Sequence, residues 1–236
     1  MHSDNPHIKQ MFTLVTASLA KGLSALSNGE STYSASILEK YAQEIFGRVA
    51  EIDNAFKNIN ITLEYLSRNT YADSKYSFSE HHAFHVENLL LRLTTIVDRS
   101  YLLAGSTMLM ENRKIERLGG NRTIYKELEV FSPVSSGILK NMEGTLDPLR
   151  GSRNKIAHQA GFSSEILCIL QAVENSKLES ISIRQITDVI SYDELKNLVI
   201  TESLDGFKSI SSTLDAMVSE LIDSLSFVYS GLLKDV

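Results

Sequence analysis

The sequence has no tryptophan, one cysteine, three prolines and twelve glycines in 236 residues. A lone cysteine, Cys168, excludes an intrachain disulfide and with it the small stapled scaffolds of secreted proteins. Within the apolar run EILCIL it is expected to be buried as a small hydrophobe. So few prolines and glycines leave little turn chemistry for a many-stranded β fold and favour long helices. No apolar run approaches the roughly 18–20 residues that cross a bilayer. The opening MHSDNPHIKQ also lacks the basic and apolar regions of a signal peptide. The expectation is a soluble, cytoplasmic protein with no membrane role. Glycine-rich phosphate loops are missing too, because LGGNR (118–122) has neither Walker nor Rossmann spacing. There is no Gly-x-Ser-x-Gly elbow. No cofactor is expected.

What is present is helical periodicity. Apolar residues make up 43% of the chain, enough for one medium core. The first long helix is read from Asn5 and Pro6, with Ile8, Phe12, Val15, Leu19, Leu23 and Leu26 as its buried stripe. The second opens on the capping box Ser36-x-x-Glu39 and carries Ala42, Ile45, Val49, Ile52 and Ile59. The third opens on Ser77-x-x-Glu80 and carries Val86, Leu90, Leu93, Val97, Tyr101 and Ala104. The last shows Phe207, Ile210, Leu214, Leu221, Leu225 and Val228. Stripes this long bury against one another, so the fold class is all-α, an up-and-down antiparallel helical bundle. Short accessory helices fill the rest: Ser132-Pro133 and Asp147-Pro148 read as helix starts, and Ser191-x-x-Glu194 caps one more. Strand-like alternation is confined to residues 179–183. One domain over 1–236 is expected, with 1–30 and 159–205 as accessory segments.

The net charge of −6 excludes a protein that coats nucleic acid wholesale, but the charge is uneven. Residues 111–158 hold nine Lys/Arg against six Asp/Glu, while the rest holds fourteen against twenty-three. That net-basic segment ends in RGSRNKIAHQ (150–159). Asn154 and His158 are four residues apart, about 40° around a helix, so they share a face. Arg153 is about 140° from His158 on the same helix, so the two converge on one ligand only if the helix frays or a second chain contributes. Arginine offers a planar fork to phosphate oxygens, and histidine exchanges protons near neutrality. RNA carries its own nucleophile, the 2′-hydroxyl. Cleavage therefore needs a base, an acid and a cation at phosphorus, and does not require a metal.

RNKIAH resembles the R-[N/D/H]-x3-H motif of the HEPN superfamily (higher eukaryotes and prokaryotes nucleotide-binding domains). The run FHVENLLLRLTTIVDR (84–99) is also similar to the acidic core helix of some bacterial members. The resemblance implies a helical bundle acting as a homodimer, with RNA as substrate and an antitoxin protein as partner in toxin–antitoxin or defence systems. It implies Arg153 and His158 as the catalytic pair of a metal-independent endoribonuclease, with Asn154 the polar residue between them. Arg150, Lys155, Arg113, Lys114, Arg117 and Arg122 would guide the RNA backbone. Glu87 and Asp98 would support Arg153 or His158 from inside the bundle. Many toxins of the superfamily are shorter than this chain, which leaves open a non-catalytic module that binds nucleotide, RNA or a protein. A purely structural role also stays open, with Arg153 and His158 satisfying helix-end carbonyls.

One rival constellation is EHHAFHVE (80–87). His81 and His85 stand at i, i+4, as two ligands of a zinc site would, but a third ligand is not evident. The simpler expectation is that these histidines mark exposed first turns of a helix, and no metal is expected.

Overall fold

Three serine–glutamate boxes start three long helices as their sequences require. In a computed structural model, which describes residues 1–149, 151, 162–176 and 185–233, each box closes reciprocally. Ser36 N donates to Glu39 at 2.8 Å and Glu39 N to Ser36 Oγ at 3.1 Å, opening the helix Ile37–Leu66. Ser77 and Glu80 do the same before Phe78–Thr107, and Ser191 and Glu194 before Tyr192–Ser224. Each box satisfies donors that a helix N-terminus otherwise leaves unpaired.

The helices in order are α1 (Pro6–Lys9), α2 (Phe12–Ser27), α3 (Ile37–Leu66), α4 (Phe78–Thr107), α5 (Asn112–Ile115), α6 (Gly120–Phe131), α7 (Pro133–Leu146), α8 (Glu165–Asn175), α9 (Tyr192–Ser224) and α10 (Ser226–Leu233). One-turn 3-10 helices cover His2–Asp4 and Asp147–Leu149. The fold is an all-α helical bundle, with no strand among the described residues. The strand-like residues 179–183 lie outside them. Among the described residues no helix is long and apolar enough to cross a membrane.

Two compact units emerge, and α3, α4 and α9 contribute to both. Unit 1 comprises residues 1–56, 95–144 and 214–236. Its core takes Ile45, Val49 and Ile52 from α3, Val97, Tyr101 and Ala104 from α4, and Leu214, Leu221 and Ile222 from α9, all buried. Beneath them Thr107 Oγ1 and the buried Tyr229 hydroxyl meet at 2.9 Å. The first turns are held by a carboxylate: Asp53 accepts from His2 N at 2.7 Å and from Ser3 N at 3.0 Å. Unit 2 comprises residues 57–94 and 145–213. Its core joins Phe78 of α4 to Leu167, Leu170 and Val173 of α8 and to Leu195 and Val199 of α9. Glu174 of α8 accepts from Ser79 N at 3.2 Å, placing negative charge at the start of α4, where the helix dipole favours it.

Three sequence expectations are corrected. The first helix breaks after Lys9, and Phe12, Leu19, Leu23 and Leu26 are exposed. Ile8 and Val15 are buried as expected, but the rest of the buried line runs one position earlier, through Met11, Ser18 and Ala25. The reason is steric: Tyr33 lies on α2 at Gly22, where an added Cβ would stand 3.1 Å from the ring, so small residues form the contact face. Second, Cys168 is exposed, because α8 turns Leu167, Leu170 and Val173 inward instead. Third, the helix capped at Ser191 is not separate from the last long one; α9 runs through Gly206 without a break.

Candidate functional site

Arg150, Arg153, Asn154, Lys155 and His158 lie outside the described residues, and the helix expected from Pro148 to His158 is described only at its start. Its first turn is the 3-10 helix Asp147–Leu149, and Gly151 is helical and exposed. Phe162, four residues beyond His158, packs on the unit 2 core, and its amide donates to Glu87 Oε1 at 2.8 Å. Two residues on, Ser164 Oγ accepts from Leu167 N at 3.3 Å and starts α8. Glu87, expected to support Arg153 or His158, thus has the backbone that follows the motif as its described partner.

Leu149 and Phe162, on either side of the motif segment, both line a cavity of about 190 Å³ with Ser164, Val199 and Ser203. Sequence reasoning did not find the group behind that wall. His82 is fully buried, and its Nε2 lies 2.9 Å from Ser203 Oγ, while Nδ1 has no hydrogen-bond partner among the described residues. Burial, with a smaller push from the charge of His85, lowers its pKa to about 4, so the ring is neutral near pH 7. The sequence signal was there: position 82 is one before Ala83 and four before Val86, on the inward side of α4.

The neighbouring histidines are not simply exposed. His81 stacks on Tyr71 with ring centroids 4.1 Å apart and contacts Ser74 Oγ at 2.7 Å. His85 stacks on Tyr65 at 5.0 Å, and its pKa is lowered by burial, then by the charges of His81 and Arg68. Among the described residues no group of three ligating side chains could hold a metal.

Four of the six basic residues expected to guide RNA divide into two pairs within unit 1. Arg113 and Lys114 both engage Glu111, so that trio carries only one net positive charge. Arg117 and Arg122 instead sit on a cavity of about 940 Å³ beside Lys140, with Tyr101 and Tyr125 in its wall. Its rim is the turn between α5 and α6. Gly119 adopts φ +80°, and a Cβ on Gly120 would stand 1.9 Å from the Ile115 carbonyl oxygen, so the turn needs both glycines. Arg48 of α3 fixes this rim by donating to Asn112 at 3.2 Å and Glu116 at 2.6 Å. Asp98, the other expected supporting acid, accepts from Asn121 Nδ2 at 2.8 Å in the same cavity. Tyr101 donates to Glu143 at 3.0 Å; burial, then the Glu143 charge, raises its pKa.

No protein-family model, curated protein or solved structure matches the chain.

Proposed function

We propose that this protein is a metal-independent endoribonuclease of HEPN type, acting as a homodimer in growth control or defence, with an antitoxin protein as partner. The observation that carries the reading is the run Arg153-Asn154-x3-His158 in the sequence of an all-α bundle. The Glu87–Phe162 bond ties the backbone four residues after His158 to α4. In this reading one His158 takes the proton from a ribose 2′-hydroxyl, whose oxygen attacks the adjacent phosphorus. The bond to the 5′-oxygen breaks, and a second acid gives that oxygen a proton. The products are a 2′,3′-cyclic phosphate and a 5′-hydroxyl. One imidazole cannot conveniently serve both ends, so the partner copy supplies the second His158 across a twofold axis. Arg153 binds the scissile phosphate and stabilises the charge that builds on it, and Asn154 orients one of the two. Arg150 and Lys155 hold the flanking backbone.

The test is cleavage of single-stranded RNA in EDTA, scored for 2′,3′-cyclic phosphate ends, beside His158→Ala and Arg153→Ala. Cleavage by the wild type alone supports the reading. A folded dimer that retains RNA without turnover would overturn it in favour of a binding module.

A further inference from the structure

The larger cavity of unit 1 has an imbalance that its formal charges hide. Three acids and three bases line it, a formal balance of zero. Each acid is already engaged by the protein: Asp98 by Asn121, Glu116 by Arg48 and Glu143 by Tyr101. Arg117, Arg122 and Lys140 have no ion-pair partner among the described residues. Asp98 and Glu143 keep their negative charge beside neutral donors, so the imbalance is one of partners: among the described residues the protein holds the acids' oxygens and leaves the cations' N–H groups free. Two of the three cations are guanidinium forks, which pair bidentately with phosphate oxygens. At about 940 Å³ the space is at the upper end of pockets that enclose a small molecule.

We infer that this cavity is a binding site for a phosphate-bearing ligand with at least two anionic groups, held by Arg117, Arg122 and Lys140. The rim suits the task. Arg48 and the two glycines hold the α5–α6 turn in one conformation, so Arg117 and Arg122 are presented from a fixed backbone rather than a loose loop. Tyr125 adds a partly exposed ring to the wall for the uncharged part of the ligand. The inference does not depend on the ribonuclease reading, because none of its residues belongs to the RNKIAH motif. The phosphates could come from a free small molecule or from RNA.

The experiment is calorimetric titration of the full chain with pyrophosphate at low salt. Saturable binding with a dissociation constant below about 1 mM is expected. Arg122→Ala and Lys140→Ala should each weaken it by about tenfold, without a change in melting temperature, since both side chains are exposed. Arg113→Ala, outside the cavity, should leave it unchanged, and so should His158→Ala, which separates this site from the ribonuclease reading. Competition by a single-stranded oligoribonucleotide assigns the phosphates to RNA, and lack of competition assigns them to a free small molecule. No saturable binding, or binding indifferent to Arg117→Ala, Arg122→Ala and Lys140→Ala alike, overturns the inference.

Discussion

The carboxylate of Glu87 accepts the amide hydrogen of Phe162 at 2.8 Å across 75 residues of sequence. It joins the third turn of α4 to the chain just beyond the RNKIAH motif. Removing it by Glu87→Ala strands a part-buried N–H and should lower unfolding free energy by about 1–3 kcal/mol. Glu87→Gln keeps an acceptor and should recover a large share of that loss. Urea denaturation of the two variants side by side distinguishes an anchor from a residue that is merely tolerated. Equal stability of Glu87→Ala and wild type would dismiss the anchor.

His82 makes stability depend on pH in a defined direction. The unfolded chain takes up a proton near its ordinary value of 6.5, whereas the buried ring resists protonation until about pH 4. Acidification therefore favours the unfolded state: stability is complete above about pH 6.5 and is lost as pH falls toward 4. Between pH 8 and pH 5 the loss from this residue is about 2 kcal/mol. His2 and His85, also held low by burial, add in the same sense. In His82→Gln the decline measured by urea midpoints at pH 8, 6.5 and 5 should be shallower than in wild type. An unchanged slope would remove His82 from the account.

Two glycines should respond oppositely to alanine. Gly47 is exposed inside α3, and a Cβ there meets nothing within 4 Å, so Gly47→Ala should stabilise by about 0.5–1 kcal/mol. At Gly120 the same methyl would collide with the Ile115 carbonyl oxygen, so Gly120→Ala should cost about 3 kcal/mol or more. Thermal melts of both variants check the pair. A neutral Gly120→Ala would mean that the α5–α6 turn is not constrained as described.

The altered face of α2 can be tested in the same way. Leu23 is 67% exposed, so Leu23→Gln should change stability by no more than about 0.5 kcal/mol. Met11, at 1%, lies on the observed face and not on the expected one, so Met11→Ala should cost about 2–5 kcal/mol. The reverse order would restore the stripe expected from sequence.

These contrasts show where the sequence was readable. Capping boxes are local: a serine and a glutamate three residues apart meet whatever the rest of the chain does, and all three were found from their letters. The stripes of α3 and α4 were equally legible, because aliphatic residues there repeat over many turns. On α2 the leucines outweighed Ser18 and Ala25 in the pattern, yet burial followed Tyr33, which needs small neighbours. No periodicity rule contains that packing choice. The larger cavity was hidden for a related reason. Arg113, Lys114, Arg117 and Arg122 look equivalent in sequence; only the fold shows that Glu111 engages the first two and that Lys140, eighteen positions on, joins the others. The RNKIAH motif is the opposite case, legible as letters while its side chains lie outside the described residues.

Cys168, exposed on α8, is the sole thiol of the chain. A single maleimide dye can therefore be attached to the natural sequence, with no background site to remove. The label would sit ten residues after His158, on the helix that Ser164 starts just past the Phe162 anchor. Fluorescence from that position offers a test of the proposed RNA binding in real time, separate from any test of cleavage.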